Sequence, residues 1–328
     1  MSKGSFIISI DFELFWGLID WQTLESSTVR LQGVRRAVAG MLELFREYEI
    51  HATWATVGFL FLDGMDELRS GRPTALPRYE NRGLDPYAYA DRVGTTVPRE
   101  LHFAPEVIEQ ILATPGQELA THTLSHFCCL EQPRDVAAFR SDLERALAIA
   151  RERFGVHLTS LAFPRNEYSP AHIRTAGELG ITAYRGNPPG WMHTPRPRAD
   201  DTSLARAARL ADTYLPILPG MPYVPAASLD GGPVNVRASR FLRPWTTSLR
   251  AVDGLRLRRV LGELRAAAER GRAYHIWWHP HNFGLHPDQN LVALRHILEA
   301  FASLRASHGI QSLSMREVAD GLAERAAA

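Results

Sequence analysis

Cysteine is nearly absent from this chain. Cys128 and Cys129 are its only two among 328 residues, and neighbours cannot staple distant segments together as a disulfide framework does. They read as a pair of small side chains near a site. Long apolar runs are missing too: no stretch reaches the roughly 18 to 20 unbroken apolar residues of a membrane span. At the N-terminus a single Lys3 precedes a short apolar run that Asp11 and Glu13 interrupt, which is not the architecture of a signal peptide. A cytoplasmic protein without a membrane span is the expectation. Charge of one sign is also lacking, since 37 Lys and Arg stand against 36 Asp and Glu. No basic excess advertises a nucleic-acid partner, and none is expected. The first strand-like run lacks the Gly-x-Gly-x-x-Gly turn that a dinucleotide would need, and no Walker-type phosphate loop occurs.

What remains is an ordinary globular composition, 45% hydrophobic and 22% charged, with enough apolar residues for a sizeable core. Short β-branched or aromatic runs alternate with amphipathic ones, the pattern of parallel βα units. Strands are expected at 6–10, 50–57, just before His122, 158–163, 181–185, 273–278 and 310–313. Helices are expected at 29–48, 105–113, 135–154, 170–179, 255–270, 290–308 and 315–324. Between 63 and 103 the pattern lapses into Pro, Gly, Arg and Tyr, and a loop that long in a compact domain reads as an insertion covering a site. A second poorly patterned stretch runs from 186 to about 244. The alternation without a composition break argues for one barrel-like α/β domain over 1–328, with an open doubly wound sheet as the alternative.

Chemistry-capable residues gather at predicted strand ends. Phe6-Ile7-Ile8-Ser9-Ile10 delivers Asp11 and Glu13 to a carboxyl end. His122-Thr123-Leu124-Ser125-His126 spaces two imidazoles by one helical turn, as two ligands of one metal ion would be. Phe163-Pro164-Arg165-Asn166 sets a guanidinium after a strand, where it could orient a catalytic carboxylate. Tyr184-Arg185-Gly186-Asn187 with Trp191 supplies stacking and hydrogen-bonding groups of the kind that line sugar sites. In Tyr274-His275-Ile276-Trp277-Trp278-His279-Pro280-His281-Asn282, strand alternation puts His275, Trp277 and His279 on one face. Taken singly, each motif has a bland explanation as a cap, a solvated pair or a packed side chain. Together they favour a metal site.

These motifs resemble, in content and order, those of the polysaccharide deacetylases of the NodB-homology type, carbohydrate esterase family 4 and its sugar-modifying relatives. Ile8-Ser9-Ile10-Asp11-Phe12-Glu13 is similar to the family's opening aspartate motif, with Asp-Phe-Glu in place of its usual Asp-Asp. His122-x-x-x-His126 resembles its metal motif, Phe163-Pro164-Arg165 its arginine motif and Ile276-Trp277-Trp278-His279 its late histidine motif. The resemblance implies a distorted (β/α) barrel of about seven strands. It also implies a divalent metal ion, zinc first, held by Glu13, His122 and His126. Asp11 would be the general base, with the reverse assignment of Asp11 and Glu13 open, Arg165 would orient the base, and His279 would be the general acid. Trp16, Asn166, Arg185, Trp191, Trp278, His281 and Asn282 are the substrate-binding candidates.

The expected reaction is removal of an N-acyl group, N-acetyl first, from an amino sugar that is free, nucleotide-linked or lipid-linked. N-deformylation or hydrolysis of a cyclic amide or imide is the alternative within the same superfamily. A non-catalytic sugar-binding module is the alternative outside enzymes.

Overall fold

The structure, a computed structural model, describes residues 3–94, 97–131, 135–197, 200–215, 221–227 and 231–327. Its centre is β1 (Ser5–Phe12), which is flanked on both edges by parallel strands. Phe6 to Phe12 are all buried, as expected of a parallel strand covered on both faces. The period of two still sorts its side chains. Phe6, Ile8, Ile10 and Phe12 pack outward into the main core beneath the helices. Ile7, Ser9 and Asp11 face the inside of the ring, where they meet strands from the far side.

The remaining strands are β2 (Ala52–Thr56), β3 (Gln117–Thr121), β4 (Ser160–Ala162), β5 (Ala183–Arg185), β6 (Val234–Asn235), β7 (Arg240–Phe241), β8 (Ala273–Trp278) and β9 (Gln311–Leu313). Their order is β6-β5-β4-β3-β2-β1-β8-β7, with β9 paired to the start of β1. β6 runs parallel to β5, and β7 parallel to β8. The backbone between them crosses from one side to the other: Val236 N donates to Tyr184 O, and Ser239 N to His275 O. Residues 234–241 therefore act as one irregular stave that closes the ring. With 234–241 counted once, β1 to β5, that segment and β8 make seven staves, an α/β distorted barrel.

The amino ends of the strands are plugged by the helix Met315–Ala327, whose Met315, Val318, Ala319 and Leu322 pack on Ile7, Ala183 and Val236. Ser314 and Glu317 form a reciprocal cap at its start, Ser314 N donating to Glu317 and Glu317 N to Ser314 Oγ. The carboxyl ends stay open for chemistry. Among the described residues no helix is long and apolar enough to cross a membrane.

The expected strands and most helices are present with ends shifted by a few residues. Three segments differ. The helix expected at 29–48 is two, Leu24–Gln32 and Val34–Glu47, broken at Gly33. Gly33 and Gly284 touch so closely that a Cβ on Gly33 would sit 2.0 Å from Gly284 O. The first of the two was obscured by its polar sequence, although Thr23 caps it by accepting from Ser26 N. The stretch 63–103 is not an open loop but a packed chain of short helices, including Met65–Ser70, Pro86–Val93 and Arg99–His102, with Tyr79, Tyr87 and Tyr89 buried. The unpatterned 186–244 contains the helix Ser203–Tyr214 as well as the closing stave.

Candidate active site

Four strand ends bring the polar cluster together. Asp11 is the penultimate residue of β1, and Glu13 follows the strand immediately; both are buried. Leu14, at φ 49, turns the chain sharply after Glu13. His122 follows β3, and its Nδ1–H donates to Ala162 O at 2.7 Å. That bond fixes the tautomer and leaves the Nε2 lone pair for a ligand. Nε2 lies 3.1 Å from Glu13 Oε1.

His126 reaches the same oxygen at 3.4 Å, but not by way of a helix. Residues 122–126 form a loop in which Thr123 and His126 adopt left-handed backbone at φ 63 and 58. The loop is held from below: Asp142 accepts from Leu124 N at 2.7 Å and from Ser125 Oγ, and Thr123 Oγ1 accepts from Phe127 N. The two imidazoles converge because the turn folds back, which corrects the expected helical spacing.

His279 follows β8, with Nε2 3.4 Å from Glu13 Oε1 and 3.9 Å from Asp11 Oδ2. Asn282 Nδ2 lies 3.2 Å from its Nδ1, on the side of the ring away from the carboxylates, and Nε2 faces them. The His281 ring stacks on His279 at 4.8 Å.

Electrostatics follow from this crowding. Burial raises the pKa of Glu13, but His279, His122 and His126 outweigh it and hold the carboxyl well below the usual range. Burial likewise raises that of Asp11, and Arg185, then His122 and His279, bring it net below its ordinary value. For His126 burial lowers the pKa, yet Cys128 and Glu13 push it up to about 10. Burial and the neighbouring His279 drive His281 down to about 3. His275 also falls to about 3 through burial. It is a structural histidine, bonded to Val236 O and Ser9 Oγ inside the ring.

Arg185, not Arg165, is the guanidinium on Asp11. Arg185 NH1 and NH2 each donate to one Asp11 oxygen at 2.6 Å, and the group lies 4.2 Å from the centroid of the Trp277 ring. NH1 and NH2 also reach Ser9 Oγ and Asn166 Oδ1, while Nε has no hydrogen-bond partner among the described residues. Arg165 turns aside to Glu167 at 3.0 Å and Glu131 at 3.3 Å. Trp16 and Trp278 do not face the site. Trp16 is buried against Phe59 and Tyr89 with Nε1 on His102 O, and Trp278 packs on Phe45 and Phe283 in the outer core. Trp191 is 52% exposed on the surface. Trp277, which strand alternation places on one face with His275 and His279 but which is not among the substrate-binding candidates, is the tryptophan of β8 that faces the site.

Beside the cluster lies a cavity of about 700 Å³. Trp277, His279, Asn166 and Glu167 line the end nearest the carboxylates, and residues from 187–213 and 238–243 form the rest. No described residue of 63–103 lines this cavity, whereas the second unpatterned stretch supplies much of its wall.

Removing each arginine should separate their parts. With Arg185→Met, burial of Asp11 loses its largest offset and keeps only His122 and His279, so its pKa should climb and the acid limb of the pH–rate profile should move to higher pH. Arg165→Met should leave that limb in place. Equal shifts in both variants would deny Arg185 its part in keeping Asp11 ionised.

A parallel barrel with buried carboxylates and imidazoles at its carboxyl ends belongs with the α/β barrels that carry chemistry there. No family profile matches the sequence, and no curated protein matches it either. Solved structures do. A chain from Mycobacterium smegmatis assigned to the polysaccharide deacetylases is 16% identical, with 99% of this chain and 92% of that one covered, at a TM-score of 0.62. One from Pseudomonas aeruginosa PAO1, assigned likewise, is 15% identical over 96% and 89% at 0.54. The PuuE allantoinase is 13% identical over 96% and 89% at 0.57. The fold is that of the NodB-like polysaccharide deacetylases.

Proposed function

We propose that this protein is a metal-dependent amide hydrolase that removes an N-acyl group, N-acetyl first, from an amino sugar or sugar conjugate. The observation that carries the reading is one carboxylate oxygen, Glu13 Oε1, lying 3.1 to 3.4 Å from the Nε2 atoms of His122, His126 and His279. Such a cluster calls for a cation or shared protons at its centre. The donor atoms of Glu13, His122 and His126 lie within 4.8 Å of one another, and the fixed His122 tautomer suits metal ligation, so these three would hold the ion. Imidazole and carboxylate donors suit zinc and several other first-row ions. When bound, the ion would supply Lewis acidity toward the amide carbonyl and the attacking water.

The chain's own groups do the proton work. Asp11, ionised through neutral pH, takes the proton of the water that adds to the acyl carbon. Its second lone pairs stay available beside the Arg185 bonds. His279 gives its Nε2 proton to the departing nitrogen as the C–N bond breaks, which yields a carboxylate and an amine. His281 is unsuited to this: with a pKa near 3 it is neutral at physiological pH. Asn166, Trp277 and the other cavity walls would hold the sugar in place.

Purified protein should release acetate from N-acetylated amino sugars or their conjugates, lose that activity to a chelator and regain it with a divalent ion. Formate release or ring opening of a cyclic amide would instead support the other C–N hydrolases of this fold, and no hydrolysis across the panel would sink the proposal. The pH profile tests His279. Burial lowers its pKa but Glu13 and Asp11 outweigh it, so the net shift is upward. An acid works only while protonated, so the rate should fall as pH rises through that raised value. In His279→Gln the high-pH limb should flatten at a rate about 100-fold or more lower, with metal content retained. Loss of metal from His279→Gln would make it a ligand instead.

A further inference from the structure

The cavity wall beyond His279 is rich in arginine, and their partners decide what each contributes. Arg165 is matched by Glu131 and Glu167, and Arg209 by Asp201 at 2.6 Å. Arg240 lies on Glu263 at 2.7 Å and Asp212 at 3.2 Å, carboxylates that Arg259 shares. Three others on the wall, Arg196, Arg206 and Arg243, have no carboxylate within ion-pair distance among the described residues; Arg196 donates to Thr194 O and Trp191 O. Arg206 donates to Asp201 O and Ser203 Oγ. Arg243 donates Nε to Thr213 Oγ1 at 3.0 Å, and among the described residues its two-pronged end meets no protein acceptor while it lines the cavity.

An unmatched, half-buried guanidinium is costly unless something else compensates it. Burial lowers the Arg243 pKa, Tyr214 opposes this, and the nearby Arg209 adds to the lowering, so the net shift is downward. Phe241, whose ring centroid is 5.8 Å away, shares its wall. A planar guanidinium with a free fork is built for phosphate or carboxylate oxygens. The cavity, about 700 Å³, also exceeds what a single sugar ring fills.

We propose that the cavity wall carrying Arg243 and Arg206 binds a phosphoryl group, so that the substrate is a phosphate- or diphosphate-linked conjugate whose amide lies at His279. The substrate statement rests on the amide-hydrolase reading; the anion site itself is testable without turnover. Sodium pyrophosphate and orthophosphate are titrated calorimetrically into full-length, metal-free protein at low ionic strength. Saturable binding is expected, weakened about tenfold or more in Arg243→Gln and in Arg206→Gln, and weakened by salt. Tighter pyrophosphate than orthophosphate points to a diphosphate ester, and equal affinities to a monophosphate. No binding, or binding unchanged in both variants, overturns the proposal. Should Arg243→Gln fail to fold, Arg206→Gln, at an exposed position, decides alone. Pyrophosphate binding without hydrolysis of any N-acyl substrate would defeat the hydrolase reading and leave the anion site standing. Turnover of neutral N-acetyl sugars that neither pyrophosphate nor the two substitutions alter would do the reverse.

Discussion

Asp11→Asn is expected to keep its metal and to lose turnover by about 100- to 10,000-fold, the range a positioned general base contributes. Glu13, His122 and His126 are untouched by the change, so the proposed ligand set is intact, whereas nothing remains to accept the water's proton. One confounding effect is foreseeable. Asp11 and Arg185 form a buried bidentate pair, and neutralising one partner leaves the other charge without compensation, at a cost of about 3 to 5 kcal/mol. The double variant Asp11→Asn/Arg185→Gln removes both charges and should recover much of that stability while recovering no activity. A fall in activity that tracked stability would make Asp11 a structural residue. Metal titration adds a second test: if Asp11→Asn is emptied of metal and rescued by excess, Asp11 is the ligand and Glu13 the base.

The fold was legible in the sequence where burial acts on both faces of an element. The apolar run of β1 and the mixed run of β8 could be placed, and alternation predicted that His275, Trp277 and His279 share a face. Alternation alone does not say which face is the inside of the ring. That is why Trp278, a large aromatic beside His279, could pass for a sugar-facing residue when it packs outward on Phe45 and Phe283. The arginines failed for a different reason. Arg165 and Arg185 each follow or end a strand, but Arg165 sits at φ 56, and this left-handed turn carries it toward Glu131 and Glu167. Arg185 is still within β5 and points across the ring to β1. The cavity wall was illegible because 187–213 has few apolar residues with a clear period. Its helix Ser203–Tyr214 buries little, and its arginines hold it through backbone carbonyls, as Arg209 does with Met192 O.

One residue essential to the cluster carries no chemistry of its own. Gly17 ends the short turn Leu14–Gly17 and lies against the Glu13 carboxylate: a Cβ there would stand 1.9 Å from Oε2 and 2.5 Å from Cδ. No such contact can persist, and the softer partner is the end of the Glu13 side chain, which can swing away at little cost to the fold. Swinging moves Oε1 out of reach of His122 and His126. Gly17→Ala should therefore leave the melting temperature nearly unchanged while weakening metal binding about 10- to 100-fold or more, the scale on which supports of a ligand act. Glu13→Gln should weaken it similarly, because the amide keeps the shape but loses the charge. Gly254→Ala is the control, since an added Cβ there meets nothing within 4 Å. Metal affinity in Gly17→Ala equal to that in Gly254→Ala would show that Glu13 either finds a second productive rotamer or does not bind the ion. Activity in Gly17→Ala that recovers with excess metal, to the level Glu13→Gln reaches, would identify displacement of this one carboxylate as the whole effect.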